Sequence, residues 1–305
     1  MSVNHHTGSQ TANSNVNTAP RRAMRIAVTS GKGGVGKTSI AINLAVALKR
    51  LGHKVGLFDA DFSLGNIDVM LGLTPRIHLG SVLSGEHSIA DVMIDGPSGI
   101  RVFPTGSGVR ALTALTDFQW QRLATALDEG GASLDFLVID TASGISDNVL
   151  DVVDLADYAL VVTSYEPAAV VDAYATVKLI SAADRTRAIG IVVNASKDAV
   201  EADLVFRQLA LAADRFLGRP LRYDGFVVHD PQLHEAALDQ TPIVGRDDAG
   251  PAGRGTAIAS GIVGAAASGL VLALFTVVVI ITTATFGVSR LISDKVSKPS
   301  KPGML

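Results

Sequence analysis

Gly31-Lys32-Gly33-Gly34-Val35-Gly36-Lys37-Thr38 follows the apolar run Ile26 to Thr29. It leads into a stretch in which Ile40, Leu44, Ala47, Leu48 and Leu51 share one side at helical spacing. Strand, glycine loop and helix in that order make a P-loop. Four glycines let backbone N–H groups converge on phosphate oxygens, and the helix start adds its partial positive charge. In such a loop Lys37 holds the β- and γ-phosphates of ATP and the Thr38 hydroxyl ligates Mg²⁺. Gly31, Gly33, Gly34, Val35, Gly36 and Ser39 complete the cradle.

Working outward, short apolar runs alternate with helix-length amphipathic stretches, the pattern of βαβ units around a mostly parallel, twisted sheet with helices on both faces. The class is α/β. The expected strands are Ile26 to Thr29, Val55 to Asp59, Ile100 to Pro104, Phe136 to Asp140, Ala159 to Thr163, Ile189 to Asn194 and Tyr223 to Val228. Between them, helical spacing covers Lys37 to Arg50, Asp117 to Glu129, Ser146 to Ala156, Ala168 to Ala183 and Glu201 to Phe216. Several strands end in a polar residue, as they do where carboxyl ends face a ligand crevice.

The chain has 305 residues, 48% of them hydrophobic, enough for a sizeable core. It has no cysteine, so disulfide frameworks and thiolate metal sites are excluded, which fits a reducing compartment. A net charge of −3 gives no global basic field for nucleic acid. Residues 1–21 read as a disordered polar tail, 22–244 as the P-loop domain and 245–255 as a glycine-rich linker.

Lys32 narrows the reading, because a general P-loop does not require a second lysine just after its first glycine. The segment resembles the deviant Walker A motif of the MinD/ParA ATPases. That resemblance implies that Lys32 reaches the phosphates held by a partner subunit, in a homodimer bridged by ATP; a solvated Lys32 is the plainer alternative. Leu57-Phe58-Asp59-Ala60-Asp61-Phe62-Ser63-Leu64-Gly65-Asn66-Ile67-Asp68 looks like the family's aspartate-rich switch segment. It implies that Asp61 orients and activates the attacking water, Asp59 supports the magnesium shell and Asn66 faces the dimer interface. Aspartates that only cap turns are the alternative. Phe136-Leu137-Val138-Ile139-Asp140 resembles a Walker B strand, with Asp140 on Mg²⁺. Ile191-Val192-Val193-Asn194 resembles the strand whose asparagine contacts adenine, an amide being able both to donate and to accept. His229-Asp230-Pro231 falls where the family places another base-proximal loop, with Asp230 toward the nucleotide, unless it is only a turn.

Local runs are similar to the flagellar-number regulators of the FlhG, FleN or YlxH group: Asn66 to Leu73, Pro104 to Gly108, and Glu166-Pro167 with Asp172-Ala173-Tyr174-Ala175. The resemblance implies an ATP-dependent dimerisation switch that controls placement or number of flagella, with a signal-recognition-type GTPase and basal-body proteins as partners. Residues 1–21 lack the DQAxxLR-like segment with which that group stimulates the GTPase. The rival readings are a ParA-like partition ATPase acting on DNA and a nucleotide-binding regulator that sequesters a transcription activator.

From Gly255 to Ser289 there is no charged residue, and Ser268 to Val288 matches the roughly 20 residues that cross a bilayer as a helix. Residues 256–289 are therefore expected to form a last helix and a membrane segment, placing the ATPase at the cytoplasmic face of the cell membrane. Arg290, Lys295, Lys298 and Lys301 in the basic tail 290–305 favour the side on which the ATPase domain already lies, so a re-entrant or interfacial anchor fits beside a span; the soluble alternative is that Thr256 to Ala267 forms the domain's last helix and the rest packs in the core or on a partner.

Overall fold

The computed structural model describes residues 22–106 and 114–244. The tail at 1–21, the linker at 245–255, the apolar segment at 256–289 and the basic tail at 290–305 lie outside the described residues. In chain order the elements are β1 (Met24–Thr29), α1 (Lys37–Arg50), β2 (Val55–Ala60), α2 (Ile67–Met70), α3 (Leu79–Ser84), α4 (Ile89–Val92), β3 (Ile94–Asp95) and β4 (Arg101–Phe103). Then come α5 (Asp117–Gly131), β5 (Phe136–Thr141), α6 (Asp147–Asp154), β6 (Tyr158–Ser164), α7 (Pro167–Ala183), β7 (Ala188–Ser196), α8 (Ala199–Leu217), β8 (Arg222–Val228) and α9 (Gln232–Leu238).

The strands form one sheet in the order β3-β4-β2-β5-β1-β6-β7-β8. All neighbours run parallel except β3 and β4. Every residue of β2, β5 and β6 is buried, which is why these strands read as continuous apolar runs instead of alternating ones. Helix α1 covers the side bearing Ile26, Val28, Leu57 and Val138. Helices α3 to α8 pack on the side bearing Ala27, Phe58, Ile139, Val161 and Val193. The chain leaves β1 for β2 on one side and reaches β6 on the other. The crevice at this reversal lies beyond the carboxyl end of β1, where the glycine loop begins.

Periodicity missed α2, α3, α4, α9 and the two-residue β3, all too short to show a repeat. The expected strand Ile100 to Pro104 is trimmed to Arg101–Phe103. Its first residue is spent on a turn, Ile100 N–H donating to the Pro97 carbonyl and the Ile100 carbonyl accepting from Gly96, and its last is a proline without an N–H.

At the amino ends of β6 and β8, away from the crevice, Tyr158 OH donates to Asp224 Oδ2 at 2.6 Å and Arg222 Nε lies 2.7 Å from Asp224 Oδ1. Gly190 of β7 makes room for them, since a Cβ there would lie 1.9 Å from Asp224 Oδ2. Burial pushes the Asp224 carboxyl up to about 6, against the pull of Arg222. Between its ordinary 3.8 and about 6 the folded chain keeps a proton that the unfolded chain has lost, so this group's contribution to stability falls as pH rises and is fully lost above 6. Asp224→Asn keeps an acceptor for Tyr158 and removes the titration. Its melting temperature relative to the natural chain is expected to climb from pH 4 to pH 7 in thermal unfolding, and a flat difference would contradict this account.

Candidate functional site

Lys37 opens α1, and Gly36 at its N-cap has φ 93°, the left-handed conformation that glycine takes without strain. No side chain caps this end and no acidic residue stands in its first turn, so the first amides of the helix keep their hydrogens for an anion. The Lys37 ammonium is folded inward and donates to Ser143 Oγ at 2.9 Å. Burial lowers its pKa, while Asp140 and then Asp61 pull it back up. The loop's entry is pinned by Ser30, whose hydroxyl donates to the Lys32 carbonyl at 2.8 Å and whose carbonyl accepts from Gly144 N–H at 3.0 Å. Lys32 points the other way and forms an ion pair with Glu166 at the start of α7, both side chains partly in solvent.

Beneath the loop, Asp59 of β2 and Asp140 of β5 are register partners on adjacent strands, 3% and 1% exposed. Burial pushes Asp59 up to about 8, with repulsion from Asp140 adding to it. Asp140 is pushed up to about 7, again chiefly by burial, despite a hydrogen bond with the Thr38 hydroxyl and the nearby Lys37 charge. Asp59 accepts N–H groups of Asp61 and Ile67 at 3.2 Å each, whereas Asp140 Oδ1 is buried with no hydrogen-bond partner among the described residues. An orphaned carboxylate oxygen, a second carboxylate and a hydroxyl are the donor set of a hard divalent cation. Among the described residues no group of three or more acidic or histidine side chains forms a self-sufficient metal cage. A site of one or two carboxylates completed by waters and substrate phosphate is how Mg²⁺ is commonly held, so these residues fit it.

The family profile of the CobQ/CobB/MinD/ParA nucleotide binding domain matches residues 26–243. The chain belongs to this family. It is a nucleotide-binding ATPase of the MinD/ParA type. The antiactivator FleN of Pseudomonas aeruginosa is 39% identical over 218 residues, which are 72% of this chain and 78% of that protein. The flagellum site-determining protein YlxH of Helicobacter pylori is 38% identical over 156 residues, 50% of this chain and 52% of that protein. Among solved structures, the MinC:MinD cell division protein complex of Aquifex aeolicus superposes with a TM-score of 0.62 at 26% identity, covering 84% of this chain and 100% of that one.

On this MinD/ParA frame the residues singled out in the sequence do not all face the loop. Asp61 stands near Lys37 and Asp140, yet its Oδ1 accepts from Ser63 N–H, Ser63 Oγ and Leu64 N–H, capping a turn. Asn66 is exposed at the start of α2, and Asp230 accepts from Gln232 N–H at the entry to α9. Asn194 touches the P-loop directly through the Val35 carbonyl. Three contacts were not foreseen: Ser143 on Lys37, Glu166 on Lys32, and the Asp172 backbone behind Gly31. Ser143 was signalled only by its position just beyond the end of β5, whereas Glu166 and Asp172, at the start and in the second turn of α7, stood out as part of a family-like run with no contact implied.

A Cβ on Gly31 would lie 2.3 Å from the Asp172 carbonyl oxygen, whereas one on Gly33 would meet Ser143 Oγ at an ordinary 3.6 Å. Gly31→Ala is therefore expected to cost about 1–3 kcal/mol in denaturant unfolding, because main chain must move, and Gly33→Ala far less. Equal losses would place the constraint elsewhere.

Proposed function

We propose that this chain is an ATP-dependent dimerisation switch, and the opposed placement of its two loop lysines is the observation that carries the reading. Lys37 is sequestered inside the loop, where it serves the chain's own nucleotide. Lys32 stands at the rim, held by one half-exposed carboxylate, where a second subunit's phosphates can take it over. Around the same rim, beyond the ends of β2, β5 and β6, lie exposed Leu64, Ile145, Tyr165 and Val171, apolar side chains suited to a second copy.

In this reading the P-loop amides and Lys37 bind the triphosphate, Thr38 and Asp140 with Asp59 behind them hold Mg²⁺, and Asn194 with the loop at Asp230 receives adenine. Thr38, Asp140 and Asp59 would hold the cation, which would supply positive charge to offset that of the phosphates. Asp61 orients the attacking water: all its turn-capping bonds fall on Oδ1, leaving Oδ2 free to accept the water's proton. Hydrolysis then removes what joins the two copies and resets the switch.

Two relatives bear on the cellular role. One is named as a flagellum site-determining protein and the other as an antiactivator. We infer control of the placement or number of a cellular structure, flagella, at the cytoplasmic face of the membrane, with residues 256–289 as the attachment and a signal-recognition-type GTPase and basal-body proteins as partners. The antiactivator name favours a second reading, sequestration of a transcription activator by the nucleotide-loaded form. Of the four arginines that DNA coating would draw on, three are engaged within the chain, Arg207 with Asp203, Arg222 with Asp224 and Arg219 with backbone carbonyls, and Arg215 stands exposed over the Phe216 ring.

Lys37→Ala is expected to abolish ATP binding in calorimetry. Asp61→Ala should bind ATP and persist as a dimer in light scattering, and Lys32→Ala should bind ATP yet stay monomeric. An Asp61→Ala monomer with full turnover would sink the switch. Turnover that rises with anionic lipid vesicles would favour the membrane reading over simple sequestration.

A further inference from the structure

Asn194 stands near the carboxyl end of β7, in register with Ser164 of β6, and is 6% exposed. Its Nδ2 donates to the Val35 carbonyl at 2.7 Å. A loop that gathers its N–H groups around an anion must turn carbonyls away from it, and a buried carbonyl so turned needs a donor. Asn194 supplies that donor. Gly36 is what lets it approach, since a Cβ there would lie 2.3 Å from Asn194 Nδ2.

The amide is also aimed by local irregularity. Ala195 follows with φ 53°, a left-handed conformation unfavourable for a residue with a Cβ, and the β7–β8 register shifts between Val193 and Ser196. The Ser196 carbonyl then accepts from His229 N–H at 2.9 Å, which fixes the distorted strand end to the loop after β8. Conformations of this kind persist where surrounding structure over-determines them.

We infer that Asn194 is a positioning residue of the P-loop: it holds the Val35 carbonyl outward and so keeps the loop amides converged on phosphate, whichever base the ligand carries. The inference rests on the proposed phosphate role of the loop and goes beyond the base contact expected of Asn194. One amide hydrogen serves Val35. The other, with Oδ1, remains for a base edge, so a single side chain ties the base end of the site to its phosphate end.

The test uses the full chain carrying Asn194→Ala or Asn194→Asp, the latter keeping size while losing the donor. Its probes are Mg²⁺-ATP and inorganic Mg²⁺-tripolyphosphate, the second read by displacement of a fluorescent ATP analogue. Loss of a donor to a buried acceptor should weaken both ligands by about ten-fold. Without any ligand, hydrogen exchange of amides 31–38 should quicken in the variants while exchange in β5 stays as it was. Tripolyphosphate binding and loop exchange that match the natural chain, with only ATP weakened, would overturn the inference and leave Asn194 a base contact alone. Failure of the natural chain to bind ATP would instead remove the proposed function, and the exchange measurement would still decide whether Asn194 holds the loop.

Discussion

Asp59 and Asp140 are held beside one another, out of water, at the carboxyl ends of β2 and β5, and the register of the parallel sheet leaves them no way apart. Both carboxyls are pushed far above their ordinary range by burial, and Asp140 further raises Asp59. The protein's own response is partial. Two backbone N–H groups reach Asp59, the Thr38 hydroxyl reaches Asp140, Lys37 stands nearby, and Asp140 Oδ1 remains without a partner among the described residues. With pKa values pushed up this far the pair tends to keep protons near neutrality, and positive charge brought alongside favours its ionised form, so the carboxyl end of the sheet carries a demand for a cation. Directly above it, the uncapped start of α1 and the glycine loop carry the opposite demand. A ligand that is itself a cation on a polyanion answers both at once, and neither half alone does so. The fold is organised to keep these two demands adjacent.

The loop is kept in place by neighbours distant in sequence. Its first glycine lies against the backbone of α7 at Asp172, its lysine is tied to Ser143 after β5, and its closing turn is tied to Asn194 on β7. Each brace comes from the carboxyl end of a strand or from the helix that follows one. This is the physical content of a crevice at a topological reversal: successive strands deliver their ends to one edge, and the loop is shaped there by contact.

That arrangement explains what could be read from the residues in order. The strand-loop-helix at Ile26 to Leu51 and the buried strand ending in Asp140 are local patterns, visible within a dozen positions, and the parallel sheet with helices on both faces follows from their repetition. Gly31 against Asp172 and Asn194 against Val35 join residues more than a hundred positions apart, and nothing in either segment announces the other. Helices α2 and α4 have only four residues each, less than the period needed to show an apolar face. Asp61 illustrates a different difficulty. A carboxylate two residues before a serine can cap a turn or face a ligand, and the structure shows it capping one with Oδ1 while still lying within electrostatic reach of Lys37.

The two lysines of the loop differ in what it takes to move them. Lys37 is 7% exposed, hydrogen-bonded to Ser143 and embedded in the field of Asp140, so withdrawing it would strip a buried acidic site of its nearest cation. Among the described residues Lys32 is held by Glu166 alone, with both partners reaching solvent, and pairs of that kind are worth only about 0–1 kcal/mol. In the proposed dimer, a phosphate brought within reach by a second subunit would offer Lys32 a stronger, charge-assisted contact at little loss. Glu166, left behind at the surface, would simply be rehydrated. The lysine free to change partners is therefore the outer one, and what would release it is a polyphosphate presented from outside the chain.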